Sequence, residues 1–242
     1  ITSSRADFGL LKNLIIEIKK NKKFSTSIIA SGSHFSRKFG NTQSEIKELG
    51  LKISEKIINN FDSSSLFGVS KIMANSIVES SKIYKKLKPD LLIVLGDRYE
   101  ILASVISAHL SRIPIAHIHG GEITEGAVDE QLRHSITKMS QLHFCSTEAY
   151  RQRVIQMGED PSKVINTGAP GIDNIVNLDL LSKDDLEKQL DWKFTQKCAL
   201  FTYHPVTLTN DDLKKDLSII FDVLVDSGCL LYTSALPTKR IV

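Results

Sequence analysis

Short apolar runs alternate along this chain with stretches whose apolar residues recur at helical spacing. Residues 91–95 and 113–118 each have the length of a buried strand, and each run ends in a polar cluster. The intervening residues, 99–110, have the composition of a helix. Because strand–helix–strand units of this kind build parallel sheets, the pattern predicts an α/β fold.

The same alternation extends to both sides of this unit. We predict strands at 25–30, 142–146 and from 164, and helices at 10–20, 68–87, 128–139 and 148–157. Residues 1–9 are predicted to be the end of a strand and a polar loop, and residues 168–170 a turn. Together these elements predict a doubly wound parallel sheet.

A second unit is predicted towards the end of the chain. Residues 178–190 form an acidic, leucine-rich helix in this prediction, followed by strands from 198 and 229 and a helix at 211–226. We therefore expect a doubly wound domain over residues 1–173. Residues 174–242 would form a linker helix and the start of a truncated second domain of the same kind. The chain starts without methionine and stops soon after a strand-like run, so we expect a piece of a longer protein.

Composition narrows the class of protein. With 242 residues, 41% of them hydrophobic, the chain can bury a full core, and its net charge of +3 is mild. The lysine cluster at 19–23 has no interleaved aromatic residue and the cluster at 82–88 has only Tyr84, which argues against nucleic-acid binding. Three widely spaced cysteines, each within an apolar run, are typical of a reduced cytoplasmic protein, and neither a membrane span nor a signal peptide is visible.

Charged residues follow both central strands. Asp97 and Arg98 come after the first strand, and residues 117–122, HIHGGE, end the second. Parallel strands place both clusters at the carboxyl edge of the sheet, where open α/β folds bind ligands. Asp97 either caps the next helix or faces a ligand, and the planar guanidinium of Arg98 suits a phosphate.

The HIHGGE segment and the helix after it leave several interpretations open. The two glycines predict either an ordinary turn or a close approach of backbone to ligand, and the GxGxxG fingerprint of dinucleotide cofactors is absent from the sequence. On the next helix, Asp129 with Arg133 and Glu130 with His134 have the spacing of i,i+4 ion pairs. Alternation along a strand would put His117 and His119 on one side, but no zinc-ligand spacing completes a metal site.

Six motifs in order resemble the hydrolysing UDP-N-acetylglucosamine 2-epimerases. They are SRADFG at 4–9, GDRYE at 96–100, HIHGGE at 117–122, DE with RHSITK at 129–138, GAP at 168–170 and YHP at 203–205. The resemblance is closer to the bacterial branch of sialic and legionaminic acid biosynthesis.

This resemblance implies two Rossmann-like domains facing across a cleft, as in GT-B glycosyltransferases. It implies that a UDP-N-acetylamino sugar, either UDP-N-acetylglucosamine or UDP-N,N′-diacetylbacillosamine, is converted with water into UDP and the free manno-configured sugar. The reaction passes through a glycal and needs no metal or other cofactor. Expected partners are the UDP-sugar and further copies of the chain, as a homodimer or homotetramer, with no nucleic acid or membrane.

The same resemblance assigns roles to residues of this chain. Carried over motif by motif, the catalytic residues are Asp97, Glu122, Asp129 and His204. The substrate-binding residues are Arg5, Arg98, His117, His119, Arg133 and Asp173.

Two departures from the family pattern keep alternatives open. The animal enzyme's HxEGGE pattern has a first glutamate where this chain has His119, so a catalytic group at that position would overturn the assignment of Glu122. Nothing after Ser234 matches the Ser- and Gly-rich loop expected to hold UDP. The alternatives are a non-hydrolysing 2-epimerase, a GT-B glycosyltransferase, or an inactive half of the epimerase.

Overall fold

A computed structural model describes residues 1–36, 40–194, 198–202, 213–226 and 230–233. The chain divides into two compact units, Ile1–Asn177 and Leu178–Val242.

The first unit is a parallel α/β structure. Its elements are α1 (Arg5–Lys20), β1 (Ile28–Ala30), α2 (Gln43–Glu48), β2 (Ile53–Lys56), α3 (Leu66–Leu87), β3 (Leu92–Leu95), α4 (Tyr99–Leu110), β4 (Ile115–Ile118), α5 (Asp129–Met139), β5 (Leu142–Cys145), α6 (Glu148–Gln156), β6 (Val164–Asn166) and α7 (Pro170–Val176). The four-stranded sheet has the order β3-β4-β5-β6, and β1 pairs with β2 beside it, every described pairing being parallel. The parallel sheet predicted from the sequence is confirmed.

The first residues of the chain join the two groups of strands. The Thr2 amide donates to the Ile29 carbonyl at 3.0 Å, and the Ile1 nitrogen donates to the Ile93 carbonyl at 3.0 Å. Residues 1–2 therefore lie between β1 and β3, and the layer runs continuously from β2 to β6.

Helices cover both faces of this layer. On β3, Val94 packs in the core cluster that contains Ile101 of α4, whereas its neighbour Leu95 packs with Leu11 of α1. Successive strand residues point to opposite faces, so buried apolar side chains on both faces require a doubly wound arrangement. Cys145 on β5 is also fully buried, in keeping with the use of cysteine as a small core residue.

The structure corrects two predicted elements. Helix α1 begins at Arg5 rather than residue 10, because Ser4 and Asp7 form a reciprocal capping box. The predicted turn at 168–170 leads directly into α7, whose first residue is Pro170. Proline is favoured there since its missing N–H has no helical partner at that position.

The second unit contains α8 (Lys183–Leu190), β7 (Cys198–Phe201), α9 (Leu213–Asp226) and β8 (Leu230–Thr233). Strands β7 and β8 are parallel. The helix predicted from residue 178 starts later, where the Ser182 side chain accepts a hydrogen bond from the Asp185 amide. Among the helices of the described residues, none is long and apolar enough to cross a membrane.

Candidate active site

Arg133 joins the loops that follow β3 and β4. It is only 5% exposed on α5 and forms an ion pair with Asp97, directly beyond β3. Its other contacts reach the loop after β4, where it donates to the Glu122 carbonyl at 2.9 Å and to the Thr124 hydroxyl at 3.1 Å. One buried guanidinium therefore sets the relative position of two site loops.

These contacts decide between the interpretations of the charged residues. Asp97 does not cap α4, whose N-terminal cap is Arg98 with no side-chain hydrogen bond. The predicted pairing of Arg133 with Asp129 is replaced by the pairing with Asp97. Glu130 Oε1 and His134 Nε2 lie 3.8 Å apart, as the i,i+4 spacing predicted.

Asp129 lies in the first turn of α5 and interacts electrostatically with Asp97. Partial burial raises the pKa of the Asp129 carboxyl, and the nearby charge of Asp97 raises it further against the opposing effect of Arg98. A carboxyl whose pKa is raised beside a second carboxyl is suited to hold a proton and act as an acid.

Arg98 is held by a residue that the sequence reasoning did not single out. Its Nη2 donates at 3.0 Å to Oε1 of Glu100, a carboxylate that is 3% exposed. Burial alone would lower the pKa of Arg98, but the charge and hydrogen bond of Glu100, together with Tyr99 and Asp7, outweigh this effect and the pKa is raised. A buried carboxylate is rarely left without a partner. The presence of Glu100 in the GDRYE motif, two residues after Arg98, was therefore the signal in the sequence for this pairing.

His119, Glu122 and Ser146 form a hydrogen-bonded chain at the ends of β4 and β5. His119 Nδ1 lies 2.5 Å from Glu122 Oε1, and the Ser146 hydroxyl donates to the same oxygen at 2.8 Å. Burial acts to raise the pKa of Glu122, but these hydrogen bonds and the charge of Arg133 lower it overall. The carboxylate is therefore stabilised in its charged form.

His117 has a different environment from His119. Strand β4 ends at Ile118 and His119 adopts φ 67°, so the predicted alternation of the two rings stops at the strand end. The His117 ring is fully buried, with Nε2 2.8 Å from the Gly96 carbonyl and Nδ1 3.1 Å from the Thr137 hydroxyl. Both nitrogens are satisfied by protein, which favours a structural role over the predicted role in substrate binding.

The buried His117 ring predicts a pH-dependent stability. Burial lowers its pKa to about 3, below the usual 6.5, so the neutral ring is favoured in the folded state. The contribution of the neutral ring to stability is complete above about pH 6.5 and is lost as the pH falls towards 3. The free energy of unfolding should therefore fall by about 2 kcal/mol between pH 7.5 and pH 5. Urea unfolding at these two pH values should show a weaker pH dependence for His117→Asn than for the wild type. His109→Asn, an exposed control on α4, should retain the wild-type pH dependence, and an unchanged slope in His117→Asn would contradict the prediction.

The glycine turn after β4 packs against protein. Gly121 has φ 82°, and a Cβ there would lie 2.5 Å from the Tyr150 carbonyl oxygen on α6. A Cβ on Gly120 would lie 3.1 Å from the Thr137 hydroxyl on α5. Close approach of the backbone to the neighbouring helices is thus required at both glycines.

The loop before α1 lies beside the Arg98 region. Asp7 is buried and accepts hydrogen bonds from the amide and hydroxyl of Ser3, both at 2.8 Å, and its charge contributes to the raised pKa of Arg98. Arg5 is 72% exposed and pairs with Glu45 at 2.9 Å. Sequence reasoning missed Asp7, although its place in the capping box was visible.

The structure assigns no site contact to two further predicted residues. Asp173 is exposed on α7, and His204 lies outside the described residues. Their assignment to the site stays a prediction.

A family profile described as UDP-N-acetylglucosamine 2-epimerase matches residues 16–236. The chain belongs to this family. The resemblance inferred from the six motifs is thereby confirmed.

Two curated relatives are similar to this epimerase-family chain. A GDP/UDP-N,N′-diacetylbacillosamine 2-epimerase (hydrolyzing) of Campylobacter jejuni is 39% identical over 237 residues, covering 97% of this chain and 62% of the relative. A UDP-N,N′-diacetylbacillosamine 2-epimerase (hydrolyzing) of Legionella pneumophila is 34% identical, covering 88% of this chain and 56% of the relative. The chain thus spans less than two thirds of either relative.

A solved structure shows the same fold. The UDP-N-acetylglucosamine 2-epimerase of Neisseria meningitidis, described as bound to UDP-GlcNAc, matches with a TM-score of 0.77 at 17% identity. The match covers 96% of this chain and 65% of that structure. The second domain of the fold is therefore incomplete in this chain.

Proposed function

We propose that the protein is a hydrolysing 2-epimerase, which converts a UDP-N-acetylamino sugar and water into UDP and the free C2-epimeric sugar. The observation that carries this proposal is the grouping of Asp97, Glu122 and Asp129 with Arg98 and Arg133 around the ends of β3 and β4. The names of the two curated relatives support the hydrolysing reaction and a diacetylated bacillosamine as substrate.

The proposed chemistry requires several carboxyl groups. As UDP leaves C1, positive charge develops on the sugar ring, which makes the C2–H bond more acidic and is stabilised by nearby carboxylates. Removal of the C2 proton gives a glycal, and water then adds at C1 while a proton returns to the opposite face of C2. Asp97 and Asp129 are suited to this exchange because they interact with each other and Asp129 has a raised pKa.

The arginines are suited to the negatively charged leaving group. Arg98 carries a guanidinium that Glu100 holds in place, and Arg5 is exposed at the first turn of α1. A planar guanidinium binds phosphate oxygens through parallel N–H bonds, so both are proposed to contact the diphosphate. Asp173 and His204 remain proposed site residues.

The wider setting is proposed from the same family. From the resemblance of the motifs, we also propose a role in sialic- or legionaminic-type sugar biosynthesis, in the cytoplasm and as a homo-oligomer. Residues 1–173 would carry the carboxylates, and the chain from 174 would begin the UDP-binding domain.

The reaction is tested with the intact protein in D₂O. UDP-N-acetylglucosamine and UDP-N,N′-diacetylbacillosamine are supplied in parallel, and UDP and the sugar product are followed by NMR. We expect UDP release and a free sugar that carries deuterium at C2. A free sugar without deuterium at C2 would exclude proton abstraction, a UDP-linked product would indicate the non-hydrolysing reaction, and a need for an acceptor sugar would indicate a glycosyltransferase.

A further inference from the structure

His119 is fixed at an unusual backbone position just beyond β4. Its φ of 67° lies in the left-handed region, which residues other than glycine seldom adopt. Its amide donates to the Phe144 carbonyl at 3.0 Å, and its ring nitrogen Nδ1 meets Glu122 at 2.5 Å. Backbone and ring are thus both held, and a conformation of this kind concentrates at functional sites.

The second ring nitrogen of His119 has no hydrogen-bond partner among the described residues. Nε2 is shielded from solvent, although an unpaired buried polar atom costs free energy. By contrast, both nitrogens of His117, two residues earlier, are satisfied by protein. An imidazole that is anchored through one nitrogen and unpaired at the other is arranged to exchange a proton.

Glu122 is better suited to hold the imidazole than to transfer the proton itself. Its Oε1 is shared by His119 and by the Ser146 hydroxyl. These contacts lower the pKa of Glu122 and so weaken it as a base. A carboxylate that accepts a hydrogen bond from one ring nitrogen fixes the tautomer and orientation of the whole imidazole. The other nitrogen is then available as a base, as in serine hydrolases.

We propose that His119 is a catalytic residue that removes the C2 proton through Nε2, with Glu122 as its positioning residue. This inference rests on the proposed 2-epimerase function. Nε2 forms a bond to the C2 proton, the C–H electron pair forms the C1–C2 double bond, and the C1–O pair leaves with UDP. An acid from the Asp97 and Asp129 pair then protonates the opposite face of C2. Water adds to C1 and returns its second proton to that pair, and the imidazolium loses its proton once UDP and the sugar have left.

The test compares variants of the intact protein that change one member of the pair. His119→Gln and Glu122→Gln are assayed with UDP-N,N′-diacetylbacillosamine for UDP release and C2 deuterium incorporation. His109→Gln on α4 and Glu125→Gln in the same loop are exposed controls. We expect His119→Gln to lower kcat about 10²-fold or more and Glu122→Gln about 10-fold with little change in KM. The controls should match the wild type.

Two further readouts separate chemistry from structure. In His119→Ala, added imidazole should restore part of the deuterium incorporation, whereas it should not rescue Glu122→Gln. The ring N–H of a histidine bound to a carboxylate resonates far downfield in proton NMR, and this signal should disappear in Glu122→Gln. Circular dichroism and urea midpoints identify a variant that misfolds, in which case His119→Asn takes its place.

The outcomes distinguish this inference from the function on which it rests. Suppose that the wild type turns over with deuterium at C2, that His119→Gln keeps a near-normal kcat and that Glu122→Gln loses most of its kcat. This result would overturn the role of His119 and leave the 2-epimerase function standing. Absence of UDP release by the intact wild type would overturn the proposed function itself.

Discussion

Replacing Arg133 by methionine is expected to destabilise the protein by about 3 kcal/mol. The substitution removes the buried guanidinium that donates to the Asp97 carboxylate and to the Glu122 carbonyl. Asp97 loses its ion pair, and the Glu122 carbonyl loses a hydrogen bond of 2.9 Å. Methionine keeps most of the side-chain length, so little volume is lost. The shift in urea midpoint, followed by circular dichroism, measures the effect.

A matched control is provided by Arg5. It also pairs with a single carboxylate, but its side chain is 72% exposed, against 6% for Arg133. Exposed ion pairs contribute only about 0–1 kcal/mol, so Arg5→Met should change the midpoint little. The double variant of Asp97→Asn with Arg133→Met should recover part of the loss, since no unpaired carboxylate remains. Equal effects of the two arginine substitutions would contradict the linking role of Arg133.

Replacing Asp97 by asparagine is expected to lower kcat about 10²-fold or more, with a smaller change in stability than Arg133→Met causes. The amide keeps an oxygen for Arg133 but neither carries negative charge nor exchanges a proton at neutral pH. Its loss also removes the charge that raises the pKa of Asp129. Steady-state UDP release by the intact protein measures this effect.

Asp90 offers the control for this substitution. It is an exposed aspartate just before β3, at the opposite end of the strand from Asp97. Asp90→Asn should therefore leave kcat unchanged. Near-normal turnover of Asp97→Asn would remove Asp97 from the proposed acid/base group.

Periodicity was sufficient to predict the sheet and most helices of the first unit. The apolar runs at 91–95 and 113–118 appear as β3 and β4, shorter by one and two residues respectively. Burial from both faces makes such runs uniformly apolar, which is a strong local signal. The start of α1 was missed because Ser4 and Asp7 were interpreted as loop residues, although their spacing is that of a capping box.

Pairing within the site could not be predicted from spacing. Asp129 and Arg133 had the separation of an ion pair, yet Arg133 contacts Asp97, 36 residues earlier. Such a contact depends on how α5 packs beside two strand ends, and local sequence carries no signal for it. Likewise, nothing in HIHGGE showed that one histidine would be buried and the next would bind Glu122.

Added side-chain volume and changed side-chain chemistry are expected to have different effects around the turn at Gly121. A side chain at this position would collide with α6, so substitutions there disturb the fold before they affect any reaction. His119 and Glu122 flank the glycines, and both are partly exposed. A new acid or base can therefore be introduced at either position on an unchanged backbone, which makes this segment a practical place to engineer the reaction.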